Sequence, residues 1–412
     1  MTIKSLASMV RITAILCFTS ILPLQLAAAD KLVLAHYMPW YASEPISGEW
    51  GWHWTMNHFD PATTDTNGLP EIASHYHPLL GPYDSSDVEA LTCQVQQMKL
   101  AGIDGIIIDW YGIHDYRDYR QIHANTQAII AVIKAANMQF AICYEDQSIK
   151  HMVTGDAMPE AEAVARGRAV FEWMDTHWFT DPAYVMEDGK PVVLCFGPQY
   201  FEATQWPQIL AGHRHEPLLF TLPHLTKTIP GSMPYAWIPV HGGDETPPEE
   251  WRTYLSWISD RGDQGETVIP AAFHQFHDIY AEAQLHRSYG SLDAQGTETV
   301  RETLERAFAS TGPIIQLVTW NDYGEGTMFE PTHELGYANL ELVQATLRER
   351  GRISHIPDDL RLPLAIIEQR RALQDDPERL AALKHASNLL LAGDATAARE
   401  LIETISNLTA SN

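Results

Sequence analysis

Basic residues are scarce. Lys and Arg number 27 against 53 Asp and Glu in 412 residues, giving a formal charge of −26. A surface of that sign repels phosphate backbones and anionic lipid headgroups, which argues against nucleic acid or a membrane surface as partner. Cysteine is scarce as well. Of the 4 present, Cys17 lies in an N-terminal apolar run, and Cys93, Cys143 and Cys195 form neither an even set nor a Cys-x-x-Cys pair. The chain therefore has no disulfide framework and no cysteine-built zinc or redox site. Gly-x-Ser-x-Gly elbows, phosphate-binding loops and His-Glu-x-x-His zinc helices are also missing. Apolar residues (45%) and aromatics (10%) are plentiful, enough for a large core.

The N-terminus has a pattern of its own. Lys4 and Arg11 precede a mostly apolar stretch from Ile12 to Leu26, followed by Ala27-Ala28-Ala29. The stretch is shorter than the ~20 residues a membrane span needs. A basic start, a short apolar centre and small exit residues predict a secretory signal over residues 1–29. The mature chain would begin near Asp30, with a secreted or periplasmic location and no membrane attachment. An uncleaved anchor is the other reading.

Short apolar runs then alternate with amphipathic stretches. The runs are Leu32–Tyr37, Gly105–Asp109, Phe140–Tyr144, Val192–Phe196, Leu218–Leu222, Ala236–Val240, Val268–His274 and Ile314–Trp320. Helical periodicity between most of them predicts an α/β fold, a (β/α)8 TIM-type barrel over residues 30–351. An open doubly wound sheet is the alternative. Ser86-x-x-Glu89 reads as a capping box before a helix that Gly102 ends. Pro223 to Tyr235 is too short and proline-rich for a full helix. Residues 352–412 read as an extension of about three helices, the last pair like a single tetratricopeptide hairpin. Packing on the barrel is its plainer role, partner binding the other.

Barrel enzymes place their chemistry after the C-terminal ends of the strands. Polar and aromatic residues collect there: His36 to Tyr41, Asp109-Trp110-Tyr111, Tyr144-Glu145-Asp146, His241 to Asp244 and His274 to His277. After the eighth run come Trp320-Asn321-Asp322-Tyr323-Gly324-Glu325. Two acids three residues apart suit the acid and base that glycoside hydrolysis needs. The plain alternative is a solvated acidic turn. Met38 to Ser85 forms a long segment rich in Trp, Tyr and His, either a sugar-stacking wall or a packed lid. Asp109 and Glu145 are further acids at strand ends, Glu145 the better placed to meet a sugar hydroxyl. Glu330, between Phe329 and Pro331, reads as structural. A metal site of His36, Asp109, His241 and His274 is the competing enzymatic reading, without a specific ligand pattern.

Several stretches resemble the glycoside hydrolase family 71/99-like group. They are His36-Tyr-Met-Pro-Trp-Tyr41, Ser74 to Asp87, Ala101 to Tyr111, and Thr319-Trp-Asn-Asp-Tyr-Gly-Glu-Gly-Thr-Met-Phe-Glu-Pro331. The resemblance runs from about residue 32 to 345. It implies a barrel enzyme acting on α-mannan or α-glucan without metal or other cofactor. It implies Asp322 as base on the sugar 2-hydroxyl and Glu325 as acid and then base. Glu145 resembles the group's acid after strand three, and Tyr37 an aromatic of its sugar subsites. The family 99 motif has glutamate where Asp322 stands, and Trp-Asn-Asp-Tyr-Gly-Glu is closer to the family 71 form.

The combined expectation is an exported hydrolase cleaving a neutral α-linked poly- or oligosaccharide. Asp322 and Glu325 are its catalytic pair, with Tyr37, Trp40, Tyr41, Asp109, Tyr144, Glu145, His241, His274, Trp320 and Asn321 as substrate contacts. A glycan-binding barrel without activity is the alternative from another class.

Overall fold

The computed structural model of the protein describes residues 31–373 and 376–410. The expected secretory signal lies outside the described residues.

Eight strands form the frame: β1 (Leu32–Tyr37), β2 (Gly105–Trp110), β3 (Gln139–Tyr144), β4 (Lys190–Cys195), β5 (Leu218–Thr221), β6 (Met233–Pro234), β7 (Ala271–Ala272) and β8 (Ile314–Leu317). Each pairs in parallel with its sequence neighbour from β1 to β6, and β8 pairs with both β7 and β1. One parallel bridge, Tyr235 to Ile269, joins β6 to β7. There the Ala236 N–H donates to Ile269 O at 2.8 Å, and the Ile269 N–H to Pro234 O at 3.1 Å. The ring is a (β/α)8 barrel.

Strands of such a barrel are buried on both faces, which is why they read as unbroken apolar runs. The pleat sorts them. Val33, Ala35, Ile106, Ile108, Phe140 and Ile142 pack in the layer under the helices, whereas Leu34, Ile107, Ala141, Cys143 and Leu194 fill the barrel interior. Interior residues recur at every second position, so each strand's last inward residue points towards the C-terminal mouth.

The structure shifts three local expectations. The sixth strand comes earlier than its expected run: Met233 and Pro234 pair, Ala236 keeps one bond to Ile269 O, and beyond it Pro239 lacks a ladder donor. The seventh strand shrinks to two residues beside Pro270 for the same reason. Asp87, not Ser86, caps the helix Val88–Ala101 by accepting from the Glu89 N–H at 2.9 Å. Ser86 Oγ is taken by Asp84 at 2.6 Å. The link between β5 and β6 carries only the single turn Pro223–Leu225.

The helices Leu362–Ala372, Pro377–Ala392 and Ala395–Ala410 follow the barrel. They lie on the outer side of Val88–Ala101, where Gln96 Nε2 donates to Ser387 O at 2.8 Å and Arg370 meets Glu89 at 2.7 Å. Leu383, Ala386, Leu390, Ala398 and Ile402 continue the barrel's outer core, so the described residues from Lys31 onward form one compact unit.

β2 and β3 leave no room for a side chain at Gly105. A Cβ there would lie 2.0 Å from Gln139 O, on the ladder whose other end carries Asp109 and Glu145. Gly105→Ala is expected to cost roughly 2–4 kcal/mol in urea unfolding. A variant within 0.5 kcal/mol of wild type, about the size of a neutral surface change, would show the two strands are not so tightly apposed.

Candidate active site

A cavity of about 400 Å³ opens at the C-terminal mouth of the barrel. Four acids converge on it, each delivered by its strand: Asp109 from β2, Glu145 from β3, and Asp322 and Glu325 from the loop after β8. Parity explains the first two. Asp109 follows Ile107 and Glu145 follows Cys143 in the inward-facing row.

The β8 loop is held on every side. The chain leaves β8 through a cis Val318–Thr319 peptide. The Asp322 N–H donates to Thr319 Oγ1 at 2.8 Å, and Asp322 Oδ1 accepts the Glu325 N–H at 3.1 Å. The segment after β7 zips onto the same loop: His277 N–H to Glu325 O at 2.9 Å, Ile279 N–H to Gly324 O at 3.0 Å, and Gln275 Nε2 to Gly326 O at 2.8 Å. Gly326 has φ +68°, and a Cβ there would sit 2.6 Å from His277 O, so glycine is required for this closure.

Glu330 is buried below the loop and anchors it. Its carboxylate accepts from Gln94 Nε2 at 2.7 Å and from the Tyr83 and Tyr323 hydroxyls at 2.9 Å each. Tyr83 in turn accepts from Asn321 Nδ2 at 2.9 Å. Burial pushes Glu330 up to about 7 against those three donors.

The lining holds no Lys or Arg among the described residues. With no cation to pair, desolvation drives these acids towards their protonated forms. Burial pushes Asp322 up to about 7, although the Glu325 and Gly324 N–H groups hold it down. Glu325 goes well above its ordinary range through burial and then the charge of Asp322, opposed by a hydrogen bond from Tyr280. Asp109 is raised by burial and by Glu145, whose carboxyl it meets. Burial takes Glu145 up to about 7, while Gln147 and Asp109 hydrogen bonds pull it down. Both carboxyls are thus driven towards protonation, and a proton held between them eases their mutual repulsion.

Trp40, Tyr41 and His241 also line the cavity. Trp40 stacks on His53, ring centroids 4.3 Å apart and 11° from parallel, with His53 Nε2 3.4 Å from Asp118. Tyr41 serves the scaffold too, its hydroxyl donating to Asn321 O at 2.8 Å. The long segment after β1 is both wall and lid. Tyr41, Trp54 and Tyr83 form a packed mini-core with Tyr323 and Met328, while Trp40 and Trp52 face the cavity.

Five expected contacts lie elsewhere. Tyr37 and Tyr144 end their strands in the helix-facing row, Tyr37 donating to Gln94 at 2.8 Å and Tyr144 packing on Phe171. Trp320 is buried in that same outer layer. Asn321 is consumed by both backbone groups of Met38, at 2.8 and 2.9 Å. His274 is buried edge-on to Phe329, and burial lowers it to about 4. The metal reading fares no better. His36 is inside the barrel against Trp237, His241 is exposed on the rim, and no cluster of three or more His, Cys, Asp or Glu among the described residues is arranged to hold a metal ion. Tyr111, Trp237, Tyr280 and Tyr289 line the cavity without having been assigned to it. Tyr111 was readable, two residues beyond Asp109. The two tyrosines after β7 carry no sequence signal, because a loop brings them in.

No family model matches the chain. A stretch of 84 residues is 31% identical to a glycoprotein endo-alpha-1,2-mannosidase-like protein of Danio rerio, covering 18% of this chain and 19% of that one. The glycoprotein endo-alpha-1,2-mannosidase of Rattus norvegicus is 27% identical over 96 residues, 21% of each chain. The match thus spans about a fifth of these relatives' length. Among solved structures, the GH99 endo-alpha-mannosidase of Bacteroides thetaiotaomicron superposes with a TM-score of 0.54 at 17% identity, covering 81% of this chain and 98% of that one. A glycoside hydrolase-like protein gives 0.53 at 13% identity, covering 77% and 93%. The chain shares the (β/α)8 fold of that endo-alpha-mannosidase.

Burying Asp322 has a pH-dependent cost. While the carboxyl is protonated in both folded and unfolded chains, burial costs nothing extra. The cost grows as pH rises from the ordinary value of 3.8 to about 7 and is constant above. Asp322→Asn keeps the acceptor and removes the charge. At pH 8 it is expected to be more stable than wild type by on the order of 3 kcal/mol, the gap closing as pH falls towards 4. A gap independent of pH in chemical unfolding would contradict the assigned ionisation.

Proposed function

We propose that the protein is an exported glycoside hydrolase acting on an α-linked polysaccharide, mannan or glucan, with Glu325 as acid and Asp322 as base. The observation that carries this reading is the pair itself: a buried Asp322 and a half-buried Glu325 on one loop at the mouth of the barrel, with Asp322 accepting the Glu325 N–H. Export rests on the N-terminal sequence pattern.

Chemistry follows from the difference between the two. Glu325 keeps its proton at neutral pH and can deliver it to the glycosidic oxygen as the C–O bond breaks. Asp322, steadied by two backbone N–H donors, gives up its proton more readily. It accepts one from the attacking hydroxyl, on the sugar's own C2 as the family resemblance implies. Water then attacks C1 and breaks the new C1–O2 bond, the Glu325 carboxylate taking the water's proton while Asp322 returns its own to O2. The transition state carries positive charge on the sugar ring. A floor of carboxyls without a nearby cation stabilises that charge through preorganised electrostatics. Asp109 and Glu145, sharing a proton, offer one donor and several acceptors to ring hydroxyls. Trp40 and Tyr111 supply flat apolar walls for the sugar's C–H faces. The names of the partial relatives favour an α-mannan, and the aspartate at 322 keeps α-glucan in the panel.

Two measurements test this. Product release from α-mannans and α-glucans should fall about a thousandfold in Glu325→Gln and in Asp322→Ala. Glycan bound but never cleaved by wild type would leave a binding barrel instead. In the pH profile, kcat/KM should rise as pH increases through about 7, where Asp322 ionises, and fall at higher pH as Glu325 loses its proton. A profile flat from pH 5 to 9 would remove these two acids from the reaction.

A further inference from the structure

The catalytic cavity does not end at its rim. A groove of about 540 Å³ leaves it between the ends of β5 and β6, sharing Trp237, Val240 and His241 with the cavity. Its far wall is the helix Pro248–Asp263, which presents Glu250, Tyr254 and Trp257 to the groove. Positions 250, 254, 257 and 261 fall on one helical face. The adjacent face, about 100° round the helix, carries Trp251, Leu255 and Ile258 and is the one buried in the core.

Trp257 is 44% exposed. A lone exposed apolar side chain is ordinary on a protein surface. Here its setting is not ordinary. Only Trp52 and Trp257 are exposed tryptophans among the described residues, and both lie along this one cleft, Trp52 in the catalytic cavity and Trp257 at the end of the groove. The ring is also held in place. Arg261 lies 5.4 Å from its centroid, and that arginine is fixed by Glu266 at 2.6 Å and by Pro223 O at 3.2 Å. Tyr254 stands beside it, centroids 6.2 Å apart, with its hydroxyl used by the Trp237 N–H at 3.0 Å. The tyrosine thereby ties the platform to the cavity wall. Glu250, 4.0 Å from His241, adds an acceptor for hydroxyls along the path.

We propose that Trp257 and Tyr254 form a distal sugar-stacking platform that holds a neutral glycan chain several residues away from the acid pair. A pyranose presents an apolar C–H face and a rim of hydroxyls. A preordered indole beside a carboxylate matches both at little entropic cost. The platform rests on the glycoside hydrolase reading for its link to catalysis, but its binding role is separable from it.

The test uses the full chain. With yeast α-mannan and α-1,3-glucan as polymers and the matching trisaccharides as short substrates, Trp257→Ala should lower kcat/KM on the polymer about tenfold more than on the trisaccharide. Trp257→Phe should restore most of that ratio. In parallel, Glu325→Gln and the double variant Glu325→Gln/Trp257→Ala are run through gels containing each polymer. Retardation of the first and at least a fivefold weaker retardation of the second support the platform even if wild type cleaves nothing, in which case the hydrolase reading alone fails. Equal retardation of the two, or retardation of neither, overturns the platform, as does an unchanged polymer-to-trisaccharide ratio in a cleaving enzyme.

Discussion

Four carboxyls share one floor, with no Lys or Arg among the described residues that line it, and the surrounding structure is arranged to tolerate that crowding. Charged acids in a desolvated site repel each other strongly, so protons take the place that basic side chains would otherwise fill. The result is that all four are raised towards protonation by burial, and that Asp322 has two backbone N–H donors opposing the rise. Two acids on the same loop thus differ in local hydrogen bonding as well as in residue type.

Such a floor is costly to hold in shape, and the scaffold around it is correspondingly rigid. Glu330 gathers three neutral donors beneath the loop, linking Tyr323 directly and Asn321 through Tyr83. The segment after β7 clamps the loop from one side through backbone bonds. The aromatic mini-core of the segment after β1 clamps it from the other. Asn321, Tyr41 and Trp320, which look like sugar contacts by type, are spent largely on this support. Positioning of catalytic groups depends on such outer contacts at the ångström scale.

The likeness to known proteins is strong in fold and short in sequence. A barrel superposes on nearly all of a GH99 endo-alpha-mannosidase, yet aligned identity reaches about 30% only over a fifth of the curated relatives. A (β/α)8 frame tolerates that divergence because its core asks only for apolar residues of suitable size at alternating positions. The site is less forgiving. Aspartate at 322 sets its carboxylate back by one methylene from a glutamate's, and the backbone N–H groups of Gly324 and Glu325 hold that shorter side chain.

Seven of the eight strands, the helices between most of them and the acids at strand ends were legible along the chain, while the sixth strand, Met233–Pro234, precedes its expected run. They follow from local periodicity and from the burial of both faces of a parallel sheet, which a linear pattern records directly. The paired acids Asp322 and Glu325 were legible by spacing and resemblance. The facing of Tyr37 and Tyr144 was legible in principle, since each shares parity with helix-facing neighbours two residues before it. Other features were decided only by tertiary structure. Tyr280 and Tyr289 reach the cavity on a loop, Asp109 meets Glu145 across a strand pair, and Trp257 joins the cleft from a helix surface. Above all, the raised proton affinity of the four acids belongs to the folded state. It arises from desolvation and from contacts between residues far apart in sequence, and neither exists until the barrel closes.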